Sequence, residues 1–239
     1  MNKNVIQVEQ LSKSFGKQQV LKKITLHIPQ GKIIGLLGPS GAGKSTIIKL
    51  ILGMEKADTG TIKIYDKTMP NRKLLEKIGY MAQSDALYKQ LKGYENLKFF
   101  AAMKGIKSKK QDAEIERVAK VVGLENQLDK YVKNYSGGMM RRLSLAISLL
   151  DKPELLILDE PTVGIDPVLS HQIWQELRIM RDNGTTILIT THIMAEAELT
   201  NRVALLRNGK IIADDTPANL KTQYHADSIE QVFMKAEEN

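Results

Sequence analysis

The sequence predicts an α/β fold: a mixed sheet built on parallel strands, with an N-terminal antiparallel β subdomain and an inserted helical lobe. Three observations predict it. Short, largely apolar runs at Ile33–Leu37, Leu155–Leu158 and Thr186–Thr190 have the pattern of parallel strands covered on both faces. Apolar and polar positions alternate within residues 1–30 (Val5-Ile6-Gln7-Val8, then Leu21, Ile24, Leu26 and Ile28) and again at Thr61–Tyr65, which marks half-exposed antiparallel strands. From residue 85 to residue 150 the pattern turns helical and more polar.

Along the chain, Asp58-Thr59-Gly60 supplies a turn before the second antiparallel set. Lys32–Gly38 (KIIGLLG) reads as a buried strand and Thr46–Leu52 (TIIKLIL) as the helix after it. Ile78–Ala82 reads as a further strand. The helical region runs from Tyr94 through the charged stretch Gln111–Gly123, and Leu143, Ala146, Ile147 and Leu150 share one helix face at i, i+3, i+4, i+7 spacing. Residues 230–239 read as a short amphipathic helix with a frayed end. The expected organisation is one domain over 1–225, with core and β subdomain at 1–84 and 151–225 and helical lobe at 85–150, then a tail over 226–239.

Composition bounds the function. With 239 residues, 42% hydrophobic and 26% charged, the chain is long enough to bury a sizeable core and has ordinary globular usage. No run approaches the roughly 18 apolar residues of a spanning helix. The first ten residues lack the apolar core of a signal peptide, and the absence of cysteine excludes disulfide and thiol chemistry. A cytoplasmic protein is expected, with any membrane association made through a partner. The net charge of +8 comes from scattered lysines without aromatic interleaving, so a solvated face is expected and nucleic acid is not.

The chemistry starts at GPSGAGKST, Gly38-Pro39-Ser40-Gly41-Ala42-Gly43-Lys44-Ser45-Thr46, which fits G-x-x-x-x-G-K-[ST] between a strand and a helix. This is the phosphate loop of a P-loop NTPase core. Its glycines let backbone N–H groups converge on anionic oxygens, Lys44 can reach β- and γ-phosphates, and the Ser45 hydroxyl can ligate Mg²⁺. Leu155–Leu158 ends in Asp159 and Glu160, acids at the carboxyl end of a buried strand, where open α/β sheets place ligands. Asp159 is suited to hold Mg²⁺ and Glu160 to polarise an attacking water. In Tyr135-Ser136-Gly137-Gly138-Met139, Ser136 can cap the next helix and leave the N–H groups of Gly137 and Gly138 to an anion. An ordinary capped core helix accounts for that stretch equally well.

The order GPSGAGKST, Gln83, YSGGM, LLILDEP, GID and TTH resembles the nucleotide-binding subunits of ABC transporters, from Val5 to Ala213. The resemblance implies an ATPase using ATP and Mg²⁺, in which Ser136, Gly137 and Gly138 complete the nucleotide site of a second such subunit, identical or not. It implies that Asp166 is the aspartate of the D-loop, that His192 contacts the γ-phosphate, and that Gln83 senses Mg²⁺ and connects to the helical lobe. Phe15, before Gly16, falls where an aromatic ring stacks on adenine. Glu160, His192 and Gln83 are thus the catalytic set, and Ser45, Gln83 and Asp159 the metal set.

The family's commonest signature is LSGGQ; this chain has Tyr135 for the leucine and Met139 for the glutamine, with the phosphate-facing residues intact. SGGM followed by Arg141-Arg142-Leu143, with Gly164-Ile165-Asp166-Pro167 and Tyr94–Gly105, resembles the branch that exports drugs, antibiotics or polysaccharides. That resemblance implies a permease supplied by another chain, reached through residues near Gln83–Leu91, and a place on the cytosolic face of the membrane. The alternatives are a soluble ATPase of the same type in iron–sulfur cluster assembly or on nucleic acid. Against nucleic acid, no sustained heptads separate Lys44 from Ser136.

Overall fold

A computed structural model of the chain describes residues 3–83 and 86–238. In order, it contains strands β1 (Asn4–Phe15), β2 (Gln18–Pro29) and β3 (Ile33–Leu37), helix α1 (Lys44–Ile51), strands β4 (Thr59–Ile64) and β5 (Lys67–Thr68), helix α2 (Arg72–Leu75) and strand β6 (Ile78–Met81). Helices α3 (Gly93–Met103), α4 (Ser108–Val121) and α5 (Gly137–Leu149) follow, then β7 (Leu155–Asp159), α6 (Pro167–Asp182), β8 (Thr186–Thr191) and α7 (Met194–Ala197). Strands β9 (Arg202–Arg207) and β10 (Lys210–Asp215) and helices α8 (Pro217–Gln223) and α9 (Ile229–Glu238) complete it. Two compact units result, Met1–Leu75 with Thr186–Asn239, and Glu76–Thr185. The second is larger than the expected helical lobe because it also takes β6, β7 and α6. The expected lobe boundary at 84/85 lies outside the described residues.

In the first unit, β2, β1, β4 and β5 form an antiparallel sheet in that order. The turn expected at Asp58–Gly60 is corrected. Thr59 and Gly60 open β4, and Gly60 (φ +94°) sits where the register against β1 slips between Glu9 and Ser12. A side chain at Gly60 would collide with the Glu9 and Gln10 carbonyls, so glycine serves a bulge there. Strand β3 is wholly buried between two parallel neighbours, β8 and β9, while β10 runs antiparallel to β9. The mixed character comes from that last hairpin. Sequence reasoning missed β9 and β10, although Asn208-Gly209, both at positive φ (+49° and +74°), is the strongest short hairpin signal.

Helix α9 forms where the short amphipathic helix was expected, and its apolar side is packed into the core. Ile229, Val232 and Phe233 join Leu37, Ala197, Val203, Leu205 and Leu220 in one buried cluster. The Glu198 carboxylate accepts from the Ile229 N–H (3.1 Å) and from Lys221 Nζ (2.8 Å), so the N-terminus of α9 is anchored by an acid, as its dipole favours.

In the second unit, β6 and β7 pair in parallel, Ile78 with Leu155 through Met81 with Leu158. The Arg117 guanidinium knits the helices together, donating to the carboxylates of Glu114 (2.8 Å) and Glu176 (3.0 Å) and to the Leu149 carbonyl (2.8 Å). Burial opposes ionisation of Glu114, but the bond and charge of Arg117, with the Asp151 N–H, hold its pKa below the ordinary value.

If α9 belongs to the core, Ile229→Ala should cost about 2–5 kcal/mol, the range for a buried aliphatic truncation. Urea unfolding measures it. A loss under about 0.5 kcal/mol, the scale of a surface change, would return α9 to the status of a tail.

Candidate functional site

Parallel pairing sets the site's position in the first unit. Leu37 pairs with Thr191, so the loop after β3 and the residue after β8, His192, leave at the same edge. The Gly38 N–H donates to the Thr191 carbonyl (3.3 Å) and holds the two exits together. Past Gly38 the loop turns through Gly41 (φ +80°) and Gly43 (φ +109°), which N-caps α1. A Cβ on Gly38 would overlap the Leu206 carbonyl oxygen, and one on Gly43 would lie 2.6 Å from Leu21 Cδ2. Only glycine lets the chain curl here.

Helix α1 has no side-chain cap and no acid in its first turn, so its N–H groups point into the loop unopposed by negative charge. Lys44, 5% exposed, places Nζ within the turn, donating to the carbonyls of Gly38 (2.8 Å) and Pro39 (3.1 Å). A groove of ≈ 550 Å³ opens beside Pro39–Ala42, with Lys22, Arg207 and Gln18 among its lining residues. A cradle of backbone N–H groups, three cations and no acid fits a polyphosphate. Ser45 and Thr46 are half-buried at the start of α1. Phe15 is 48% exposed, with Lys13 Nζ 4.9 Å from its ring centroid, and it pairs across the hairpin with Gln18.

His192 is exposed at the head of a braced turn. The Thr191 hydroxyl donates to Glu196 (2.6 Å) and accepts from the Ile193 N–H (3.0 Å). Sequence reasoning took Thr191 only as a strand residue within TTH and passed over Glu196, whose one signal was an acid four residues beyond the histidine.

In the second unit the register of β6 with β7 puts Gln83 and Glu160 at matching heights, each two residues beyond the pair Met81–Leu158. Asp159 is buried and Glu160 nearly so, and Glu160 adopts φ +54°, a left-handed conformation that costs a non-glycine residue about 1–3 kcal/mol. Strain of that kind persists where the surroundings over-determine it. Tyr80, beside this strand end, has its phenol pKa raised, first by burial and then by the Asp159 charge.

The helix after YSGGM begins as expected: the Ser136 hydroxyl accepts the Met139 N–H (3.2 Å). Ser136 and Gly137 are exposed, and a Cβ on Gly137 would meet nothing within 4 Å. One on Gly138 would come 3.6 Å from the Gly164 carbonyl, which places the start of α5 beside the loop bearing Asp166. Asp166 caps α6, accepting the Leu169 N–H (3.0 Å) ahead of Pro167. Tyr135 has a structural reason: its ring is buried and its hydroxyl donates to the Gln127 carbonyl (2.8 Å), in space left by Gly93. Burial raises its pKa, with the Arg142 charge acting the other way.

Comparison with known proteins bears on this geometry. A model of the family described as ABC transporter matches residues 21–163. The chain is 36% identical over 238 residues to the probable multidrug ABC transporter ATP-binding protein YbhF of Escherichia coli (strain K12), covering 97% of this chain and 41% of that protein. It thus spans less than half of that relative's length. It is 38% identical over 236 residues to the linearmycin resistance ATP-binding protein LnrL of Bacillus subtilis (strain 168), covering 96% of this chain and 75% of that one. A solved ATP-binding subunit of an ABC transporter superposes with a TM-score of 0.89 at 27% identity, over 98% of this chain and 99% of that one.

The two kinds of glycine should separate on substitution. Gly38→Ala puts a methyl group against a backbone carbonyl and should cost at least about 1–3 kcal/mol, the range for overpacking. Gly137→Ala fills open space on a helix and should leave stability unchanged or raise it by up to about 1 kcal/mol. Thermal melts of both variants give the comparison, and equal losses would refute it.

Proposed function

This chain belongs to the ABC transporter family, and from that membership we propose that it binds and hydrolyses ATP as the motor subunit of an exporter whose permease is another chain. The observation that carries the ATP reading is the phosphate loop: an uncapped, acid-free helix start with Lys44 folded into its turn. Lys44 contacts the β- and γ-phosphates. Phe15 stacks on adenine; its exposure and its place at the hairpin tip support that role. Ser45, Asp159 and Gln83 are the residues that would hold a magnesium ion, which would supply charge neutralisation to the phosphate oxygens.

Glu160 orients water and takes its proton as the γ-phosphoryl group is attacked, and exposed His192 steadies that group. Ser136, Gly137, Gly138 and Asp166 act on the nucleotide of a second ATP-binding subunit. The open space around Gly137 supports this: among the described residues nothing lies within 4 Å of where its Cβ would be. The multidrug and antibiotic-resistance proteins among its relatives support export.

Among the described residues no helix is long and apolar enough to cross a membrane. In the proposed exporter the permease holds the chain at the cytosolic face. Tyr88 and Phe99, 48% and 40% exposed, stack edge to face at 4.9 Å, with Phe100 adjoining. Exposed rings so clustered favour a protein contact within the expected Gln83–Leu91 docking segment, of which Ser84 and Asp85 lie outside the described residues.

Two substitutions divide binding from turnover. Lys44→Ala should abolish ATP binding, read by equilibrium titration; affinity within about twofold of wild type would remove Lys44 from its role. Glu160→Gln should keep binding while turnover falls by about 10²-fold or more, the scale of general-base loss, and ATP should then accumulate a dimer in size-exclusion chromatography. Hydrolysis at the wild-type rate would place water activation elsewhere.

The shared site has its own test. Gly137→Asp should leave ATP binding to the monomer nearly intact but eliminate dimerisation and hydrolysis, since bulk and negative charge both oppose the partner's phosphates. Mixed with Lys44→Ala, it forms a dimer in which one composite site carries both lesions and the other neither. Partial recovery of ATPase activity supports sharing. Loss of ATP binding by the Gly137→Asp monomer contradicts it.

A further inference from the structure

The two arginines after YSGGM point to different jobs. Arg142 donates to the carbonyls of Val122 (3.4 Å) and Gly123 (3.1 Å) at the carboxyl end of α4, where a cation is favoured by the helix dipole. Arg141 goes to the other side. Its guanidinium donates to the carbonyls of Gln83 (3.2 Å), Asp159 (2.8 Å) and Glu160, three oxygens at the carboxyl ends of β6 and β7. One planar fork thus spans both strand ends, which a lysine ammonium on a single stem cannot do.

The residue so held matters. Glu160 is the left-handed residue of this strand end, and its carbonyl also accepts the Val163 N–H (3.4 Å). The orientation of that peptide decides where the Glu160 carboxylate points. Arg141 lies five residues beyond Ser136 on α5, so a shift of the helix start moves the fork as part of the same rigid element.

We propose that Arg141 is a positioning residue that holds Glu160 and Gln83 in their working geometry and makes that geometry depend on what sits against Ser136–Gly138. This deepens the exporter-motor reading and rests on Glu160 acting there as general base. Through Arg141, the helix that reads a second subunit's nucleotide sets the competence of the chain's own strand ends. No contact with ATP is assigned to it.

The test is steady-state kinetics of the full chain with MgATP. Arg141→Lys keeps the charge but loses the fork, and should lower kcat about tenfold or more with KM within about twofold, the signature of misplacement without lost binding. Arg141→Gln, which retains two donors, should behave alike. In a Glu160→Gln background Arg141→Lys should cost much less turnover than it does in the wild type, because most of its effect passes through Glu160. The double variant should still form the ATP-dependent dimer, since the exposed face of α5 is untouched. As control, Arg142→Lys should lower melting temperature more than kcat.

Several outcomes overturn the assignment. Wild-type kcat in Arg141→Lys does so if Glu160→Gln is inactive. Full additivity with Glu160→Gln does so too, as does failure of the double variant to dimerise. Loss of folding or ATP binding in both Arg141 variants makes the residue structural. If instead Glu160→Gln alone turns over normally, the general-base reading has failed and this assignment falls with it, whereas an inactive Glu160→Gln beside a wild-type Arg141→Lys overturns the positioning role alone.

Discussion

Strand β3 has no exposed residue and is bonded to a parallel neighbour on each side, so its chain can leave only past the carboxyl edge. Parallel register requires β8 and β9 to end at that edge too, and no hairpin could bring them there. The phosphate loop and His192 are therefore neighbours because of strand direction, before any side chain is considered. The same argument holds separately for β6 and β7, whose pairing puts Gln83 level with Glu160. What the side chains add is the fine placement, and backbone carbonyls are its main currency: Gly38 and Pro39 receive Lys44, while Gln83, Asp159 and Glu160 receive Arg141.

Such placement has a cost that appears as backbone in unusual regions. Gly41 and Gly43 carry it without a side chain, but Glu160 cannot, because the chemistry assigned to it needs the carboxylate. A carboxylate in a left-handed conformation therefore calls for external bonds on its peptide, and the cation of α5 supplies one. The Thr191–Glu196 pair plays the same part for His192. In both cases the residue given the chemical role is exposed or strained, and a residue outside its motif, Arg141 or Glu196, takes part in steadying the backbone beside it.

That division explains what was legible in the sequence. The phosphate loop, the acidic strand end and the Ser136 cap could be read because each needs particular residue types at fixed spacing, and the first and last have clear local geometry here. Strands β3, β7 and β8 could be read because burial on both faces leaves unbroken apolar runs. Strands β9 and β10 escaped, as β10 is only half-buried and its Asn208-Gly209 turn was passed over. Gly60 was misread because a bulge and a turn draw on the same residue, and only the partner strand distinguishes them. Arg141 and the burial of Ile229 depend on contacts farther along the chain, which local pattern does not encode, whereas Glu196 lies only five residues from Thr191 and was simply passed over.

Gly137 makes the last step of this argument. Gly38, Gly43 and Gly60 are each explained by what a Cβ would strike within the chain. Gly137 is not: it has an ordinary helical backbone, open space around it and no conformational need. A glycine in an exposed first helical turn loses stability relative to alanine and gains nothing internally. Under the proposed function a reason lies outside the chain, in something that approaches the N–H groups of α5 closer than a methyl group would allow. An anion presented by a second subunit would meet that condition, which is why the proposed function gives these three residues, an ordinary cap by sequence alone, to a partner's nucleotide.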